Sequence, residues 1–453
     1  MTTPETSTET APDSAGKRSG CLGSCGLIIG LFVVFLIIAA TGIFMWRRSV
    51  VRQADAMVTA IRDRGEPSSG KELTEYYQVD EGKKDCTELW LAGIAKFDSD
   101  EFTKQAKDLP FVGTADAPKF GDSWTDVEKA EALLAKYDVE MKKMHEAARL
   151  GGAARYPINF AEGLAARAPY LQNLRVGARM LRLEAYVHAQ RGRPSEVVNS
   201  IDTISKAGES LTNEPTMLAQ LVRTAISNVS TDVIRSGLPH IKFSDDDLLR
   251  LKEIVKSANF DGQIRSGLVG ERVMGLELVN NPDQAGIERK KIPFIPEDLI
   301  LYLQTMEDLI DAGELPVTEA ITESTRIDDA AKDKIKNAKY LYFLTAMLLP
   351  STDGFVRASN SGTIDRSQTE VMISIEQYRR MHGELPTKLA QLVPEFLPTV
   401  PVDPFDGKPF RYLVDDLEIK VYSVGVNGID DGGLENQAGR GPDDVATMEI
   451  SSD

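Results

Sequence analysis

The sequence predicts a mainly α-helical protein with a small α+β module at its C-terminal end, behind an N-terminal transmembrane helix. Three observations carry that prediction. Residues 21–46 contain no charged side chain. Through the middle of the chain, apolar residues recur largely at three- and four-residue steps, the spacing of an irregular helical bundle. After residue 365 one more helical pattern gives way to turn formers and two short apolar runs, the pattern of a helix backing a short antiparallel sheet.

At 453 residues the chain is long enough for two or three domains and a sizeable core. Its 42% hydrophobic and 27% charged residues are ordinary for a globular protein and argue against wholesale disorder. The formal net charge of -17 argues against a surface built for nucleic acid or anionic lipid, since both need clustered Lys and Arg. A solvated acidic surface fits it, as does cation binding. Of the three cysteines, Cys21 and Cys25 border the apolar stretch and only Cys86 lies beyond it, so no disulfide framework is expected. Cys86 reads as a small buried apolar residue. A lipid-accepting cysteine should follow an apolar stretch, whereas Cys21 and Cys25 precede one.

Residues 1–24 end a polar leader rich in Thr, Ser, Pro and Glu, read as a disordered tail. Residues 25–46 are the transmembrane segment: about twenty helical residues at ~1.5 Å each cross the ~30 Å hydrocarbon core. Trp46 suits the interface and is followed by Arg47, Arg48 and Arg52. A cleavable signal peptide competes with this reading, but Ala39, Ala40 and Thr41 make a poor cleavage site after a long leader. The basic flanks, Lys17 and Arg18 against three arginines, by themselves slightly favour an N-terminus outside the cytoplasm.

Residues 47–124 form a juxtamembrane, loop-rich region. A polar helix over residues 51–61 continues the anchor and ends near Gly65 and Pro67. Residues 125–335 form the helical domain, opened by Val127, Leu133, Leu134, Tyr137 and Met141 and continued by Leu171, Leu174, Val176, Leu181 and Tyr186. Residues 183–211 look like one tetratricopeptide unit, with Gly192 ending the first helix and Val197, Val198 and Ile201 lining the second. A solenoid needs about three such units, so a single helical hairpin is expected. Further helices are expected over 215–235, 245–258, 264–279 and 296–312. Asp245, Asp246 and Asp247 open one of them as capping carboxylates rather than metal ligands.

Residues 336–453 form the C-terminal module. The apolar run 340–349 is too short to cross a bilayer and reads as a buried helix, and residues 351–362 look like a loop. Residues 365–381 read as a helix with Val371, Ile375, Tyr378 and Met381 on one face, ended by Gly383 and Pro386. Leu389, Leu392 and Val393 form a short second helix. Asp403-Pro404 and Asp406-Gly407 are turn formers, followed by strands at Phe410, Tyr412 and Leu413 and at Ile419, Val421, Ser423 and Val424. A Gly/Asp loop over residues 425–444 holds Asn427, Asp430, Asp431, Asp443 and Asp444. Calcium takes about six to eight oxygens from carboxylates, amides and carbonyls, so this loop is a candidate calcium site; a solvated acidic turn is the other reading.

The runs IEQYRRMHGELP (375–386), VPVDPFDGKPFRYL (400–413) and YSVGVNG (422–428) stand in a telling order: helix end, Gly-x-x-Pro corner, Asp-Pro turn, short strands. That order resembles the globular half of the major pseudopilin of type II secretion systems. The resemblance covers about the last quarter of the chain. It implies an extracytoplasmic module that assembles with other proteins and has no catalytic activity, which places the tail in the cytoplasm and the anchor in the inner membrane. It further implies calcium held by backbone carbonyls near the Ser-x-Gly strand end and by Asp443 and Asp444. Departures are Pro442 just before that pair, a longer loop, and no aromatic at the chain end. No Gly-Phe precedes the apolar helix and no Glu opens it, so processing by a prepilin peptidase is not implied. The whole layout is similar to a recurrent group of bacterial single-pass envelope proteins with helical ectodomains, a likeness that implies an architecture and no activity.

No reaction motif stands out. His145, His188, His240 and His382 form no ligand-spaced pair; His145-Glu146 starts like a zinc-protease helix without its second His. Ser68 and Lys71 have S-x-x-K spacing but no companion motif. The favoured expectation is a non-catalytic envelope protein binding envelope or secretion-system proteins, with no nucleic acid and no small-molecule substrate. The alternative is a membrane-anchored hydrolase using carboxylates in the helical domain, which needs two of them facing across about 5–9.5 Å.

Overall fold

The first helix, α1 (Cys21–Asp63), runs without a break through the apolar segment and into the polar one. The structure, a computed structural model, describes residues 21–286, 295–349, 352–415, 418–434 and 443–450. It divides into two units, one up to Ala56 and one over Met57–Asp453. In the first, α1 is long and apolar enough to cross a membrane. Its large side chains from Leu31 to Trp46 are exposed all round, as a helix facing lipid requires.

In the second unit, three short helices, α2 (Gly70–Tyr76), α3 (Thr87–Ile94) and α4 (Asp100–Ala106), precede α5 (Val127–Lys136) and α6 (Asp138–Arg149). The expected hairpin is α7 (Pro169–Gln190) and α8 (Pro194–Glu209), turned by Gly192 at φ 64° with Pro194 opening the second helix. Next come α9 (Met217–Gly237), α10 (Asp245–Ser257) and α11 (Gln263–Asn280). Asp247 closes a capping box with Ser244 at the start of α10, so one carboxylate of the acidic triplet caps that helix. The last helices are α12 (Ile295–Ala312), α13 (Val317–Asn337), α14 (Phe343–Leu348) and α15 (Thr352–His382). A three-stranded antiparallel sheet follows in the order β1 (Arg411–Val414), β2 (Glu418–Ser423), β3 (Asp444–Glu449). The mainly helical fold with a small C-terminal sheet is therefore as the sequence predicts.

Several details differ. The stretch read as a loop, residues 351–362, is helical from Thr352 and forms the first turns of α15. Packing overrides the weak propensity of its Ser, Gly and Asn: Phe355 and Val356 are fully buried, and Asn360 returns a hydrogen bond to the Val356 carbonyl at 3.0 Å. The expected buried helix over 340–349 is only the six-residue α14, and Tyr340 is 90% exposed. Met381 is exposed rather than part of a packed face. Asp444 leaves the expected loop and opens β3.

The borders expected at residues 124 and 335 fall inside one compact unit. One apolar cluster joins Tyr186 of α7, Val198 of α8, Val233 of α9 and Leu251 of α10 to Val371 and Ile373 of α15 and to Ile419, Val421 and Met448 of the sheet. Residues 371–376 of α15 are buried on every side, because helices cover one flank and the sheet the other. Polar ties reinforce this: Asp365 accepts from Thr231 and Arg235 of α9, and the Lys252 ammonium of α10 donates to Ser374 at 2.9 Å.

A second tie holds the start of the unit. Arg272 of α11 is fully buried between Glu66, at 2.8 Å, and Glu307 of α12. Removing one partner of such a pair leaves a stranded charge and costs ~3–5 kcal/mol. Close helix approach also matters. A Cβ added at Gly270 of α11 would stand 1.4 Å from the Pro215 carbonyl oxygen, ahead of α9. Gly270→Ala should therefore destabilise the fold by about 1–3 kcal/mol, whereas Gly354→Ala, where a Cβ meets open space, should be neutral or stabilising by up to about 1 kcal/mol. Denaturant melts of the full chain in detergent check the pair, and equal effects would contradict this packing.

Candidate functional site

The C-terminal tip is built where α15 stops. Gly383 at φ 75° ends that helix, and the chain turns through Pro386 to a short 3-10 turn, Leu389–Leu392. The Asp-Pro turn then folds on itself through a bridge between Val402 and Pro409. Asp403 is its fully buried centre. One carboxylate oxygen accepts from the Phe405 N–H at 3.0 Å and the Ser423 hydroxyl at 2.9 Å. The other accepts from the Val424 N–H at 2.8 Å and from Arg411 at 3.0 Å.

Arg411, first residue of β1, gathers three carboxylates. Besides Asp403 it binds Asp406 through both terminal nitrogens, and its Nε stands 3.5 Å from Asp430 in the loop after β2. The Arg411 hydrogen bonds hold Asp406 well below the usual carboxylate range, and they push the guanidinium pKa upward. Burial acts to raise Asp430, but the Gly432 N–H, the Tyr422 hydroxyl at 3.0 Å and Arg411 outweigh it and lower its pKa. A permanent organic cation thus ties turn, strand and loop together.

The five residues expected to hold calcium are not drawn into one set. Asn427 donates to Asp431 at 3.0 Å, and Asp430 faces Arg411 and Tyr422. Asp443 is buried and accepts from the Gly433 N–H at 2.8 Å and the Asp431 N–H at 3.4 Å. Asp444 alternates to the other face of β3, the face that carries Ala446 and Met448 into the core. Burial pushes its carboxyl up to about 6, helped by the negative charge of Asp365. Among the described residues no group of three or more His, Cys, Asp or Glu side chains is placed to hold a metal. Glu435 to Pro442, the rest of the loop, lie outside the described residues. The described side chains therefore form no calcium cage.

Among its polar groups the tip also offers apolar side chains to solvent. Val402 is 57% exposed, Val426 53%, Ile429 60% and Leu434 62%, all on the turn and loop that Arg411 fastens. Leu413 and Val414 are exposed on β1, an edge strand of the sheet. A groove of mixed character between the end of α15 and β3 is lined by Glu376, Arg379, Glu384 and Glu449 as well as Leu385 and Met448.

Two buried polar clusters in the helical region went unnoticed in the sequence. His145 of α6 contacts Glu184 of α7 at 2.9 Å and the Thr203 hydroxyl of α8 at 2.7 Å, and Ser200 donates to the same Glu184. The order hydroxyl, imidazole, carboxylate is that of a nucleophilic triad. Thr203 is only 2% exposed and also hydrogen-bonds the Asn199 carbonyl, so no substrate reaches it. Burial acts to lower the His145 pKa, but Glu184 more than offsets this and raises it. The second cluster centres on Glu214, fully buried beside Tyr77 and accepting from the Tyr170 hydroxyl at 2.7 Å. Burial pushes its carboxyl up to about 7.

Comparison with known proteins returns no match: no family model, no curated protein and no solved structure is similar enough to this chain to lend it a role.

Glu214 makes a pH prediction. Its folded pKa of about 7 lies above the usual value of 4.5, so the protonated form stabilises the fold. That contribution is complete below the unfolded pKa and is lost as pH rises through the folded one. Glu214→Gln should therefore melt much as the parent does below the unfolded pKa of 4.5, gain on it progressively as pH rises, and lead it by roughly 3 kcal/mol above the folded pKa. A pH-independent difference would contradict a protonated Glu214.

Proposed function

We propose that this chain is a non-catalytic, single-pass envelope protein of the inner (cytoplasmic) membrane that works by binding other proteins. The carrying observation is the tip: four exposed apolar side chains on a turn and loop fixed by the half-buried Arg411 guanidinium. Small exposed apolar patches on an otherwise charged surface mark contact sites. A loop held in one conformation loses less entropy on binding than a mobile one.

The anchor supports the membrane assignment, since α1 is long and apolar enough to cross a bilayer. The order of helix end, Gly-x-x-Pro corner, Asp-Pro turn and antiparallel strands supports reading the tip as a pseudopilin-like, extracytoplasmic module, with residues 1–24 in the cytoplasm and envelope or secretion-system proteins as partners. The hydrolase reading asks for open, facing carboxylates in the helical domain. Burial pushes two carboxyls up to about 7 there, Glu214 and Glu271; they lie on different segments of the chain, and Glu214 is enclosed on all sides.

Photocrosslinking in intact cells tests the proposal. A photoreactive residue at Ile429 of the full chain should give discrete adducts with an envelope protein, and Arg411→Gln should weaken them severalfold by freeing the loop. The same probe at Leu249, exposed on α10, should not give those adducts. Identical adduct patterns at both positions, or none at Ile429, would contradict a contact role for the tip.

A further inference from the structure

A whole-chain charge of -17 conceals a local exception. Lys332, Lys334, Lys336 and Lys339 crowd the end of α13 and the turn after it. Lys332 pairs with Asp328 at 2.8 Å. Lys334, Lys336 and Lys339 are exposed and make no ion pair among the described residues. Tyr340 follows them at 90% exposure, then Phe343 at 46% and Met347 at 37%, the last two one turn apart on α14.

These side chains are presented by the fold rather than left loose. The buried Asp298 carboxylate of α12 accepts from the Leu344 N–H at 2.6 Å, the Thr345 N–H at 3.0 Å and the Thr345 hydroxyl at 2.6 Å. Leu344 packs with Leu278 and Val279 of α11 beneath the exposed face. Burying Leu344 toward that platform turns Phe343 and Met347 outward.

Exposed aromatic rings flanked by unpaired lysines match the chemistry of a membrane–water boundary. The rings sit at headgroup level, and the ammonium groups reach phosphates while their stems lie on apolar surface. At physiological ionic strength charges are screened beyond ~8 Å, so the local groups set the attraction: Lys334, Lys336 and Lys339 attract, Asp333 beside them and Asp308 near Lys334 temper this, and the distant acidic surface adds little. Each lysine close to an anionic leaflet strengthens it roughly fivefold. A chain already tethered to a bilayer needs only a weak second contact for it to be occupied.

We infer that residues 334–347 form a second membrane contact, in which Lys334, Lys336 and Lys339 meet anionic lipid headgroups and Tyr340 and Phe343 enter the headgroup–acyl boundary. This surface is separate from the C-terminal tip and does not depend on what the tip binds.

The test uses the full chain in nanodiscs of phosphatidylcholine, with and without phosphatidylglycerol. An environment-sensitive dye on Ala346→Cys reports the surface, with Cys21→Ser and Cys25→Ser removing other reactive thiols; Leu249→Cys is the control site. In anionic discs the dye at residue 346 should shift to the blue and be quenched by lipid spin labels, while the control should not. Added salt or the triple change Lys334→Glu, Lys336→Glu, Lys339→Glu should weaken the quenching by roughly fivefold or more per reversed charge. Far-ultraviolet dichroism of that exposed-site variant verifies that it folds. Equal quenching in neutral and anionic discs, or quenching indifferent to charge reversal, overturns the inference. So does protection of residue 346 from a water-soluble thiol reagent in cells but not in anionic discs, which would assign the surface to a protein partner.

Discussion

Burial of α15 on two sides is the constraint on which the second unit depends. Its residues 371–376 have no face left for solvent, because α9 and α10 cover one flank and the sheet the other. A three-stranded sheet of four- to six-residue strands has too little apolar surface to stand alone. Here it needs no separate core. Ile419, Val421, Ala446 and Met448 close the same cluster that Val198, Val233 and Leu251 contribute from the helices. The tip is therefore the end of the helical core, not an appendage to it.

Arg411 extends that rigidity outward to the loop. A buried charge is expensive unless each of its hydrogen-bonding positions is matched. The cluster meets this condition: Asp403 accepts from two backbone N–H groups, a hydroxyl and the guanidinium, and Asp406 and Asp430 complete the cation's surroundings. Such clusters contribute less to net stability than to selecting one conformation. At this tip the selected conformation holds Val402, Val426 and Ile429 against water. A cation built into the chain, unlike a bound ion, cannot be removed by a chelator.

Much of this was legible in the sequence because local signals agreed with the final packing. Gly192 marked the turn of the α7–α8 hairpin, Asp245 to Asp247 the start of α10, and Gly383 the end of α15. Where local and global preferences conflict, reading failed. Residues 352–362 carry poor helix formers and fold as helix because Phe355 and Val356 find a core that no local pattern shows. The strand β3 escaped notice because Ala446 and Met448 are weak strand formers. Tyr340 looked like core by composition and lies on the surface, while Leu344 and Leu349 of the same stretch are the buried ones. The polar sites were hidden by distance along the chain: His145 meets Glu184 and Thr203 across 39 and 58 positions. Arg411 was closer to view, five residues from Asp406 and eight from Asp403, yet its third partner comes from another loop.

If the sheet shares its core with the helices, it should not open on its own. Native-state hydrogen exchange of the full chain in detergent measures this at Val421 and Tyr422 of β2 against buried amides of α9 and α10. Equal opening free energies, close to that of global unfolding, are the predicted result. A sheet that exchanges several kcal/mol more easily than those helices would show a separately folding tip, and the account of a contact surface braced by α15 would be wrong.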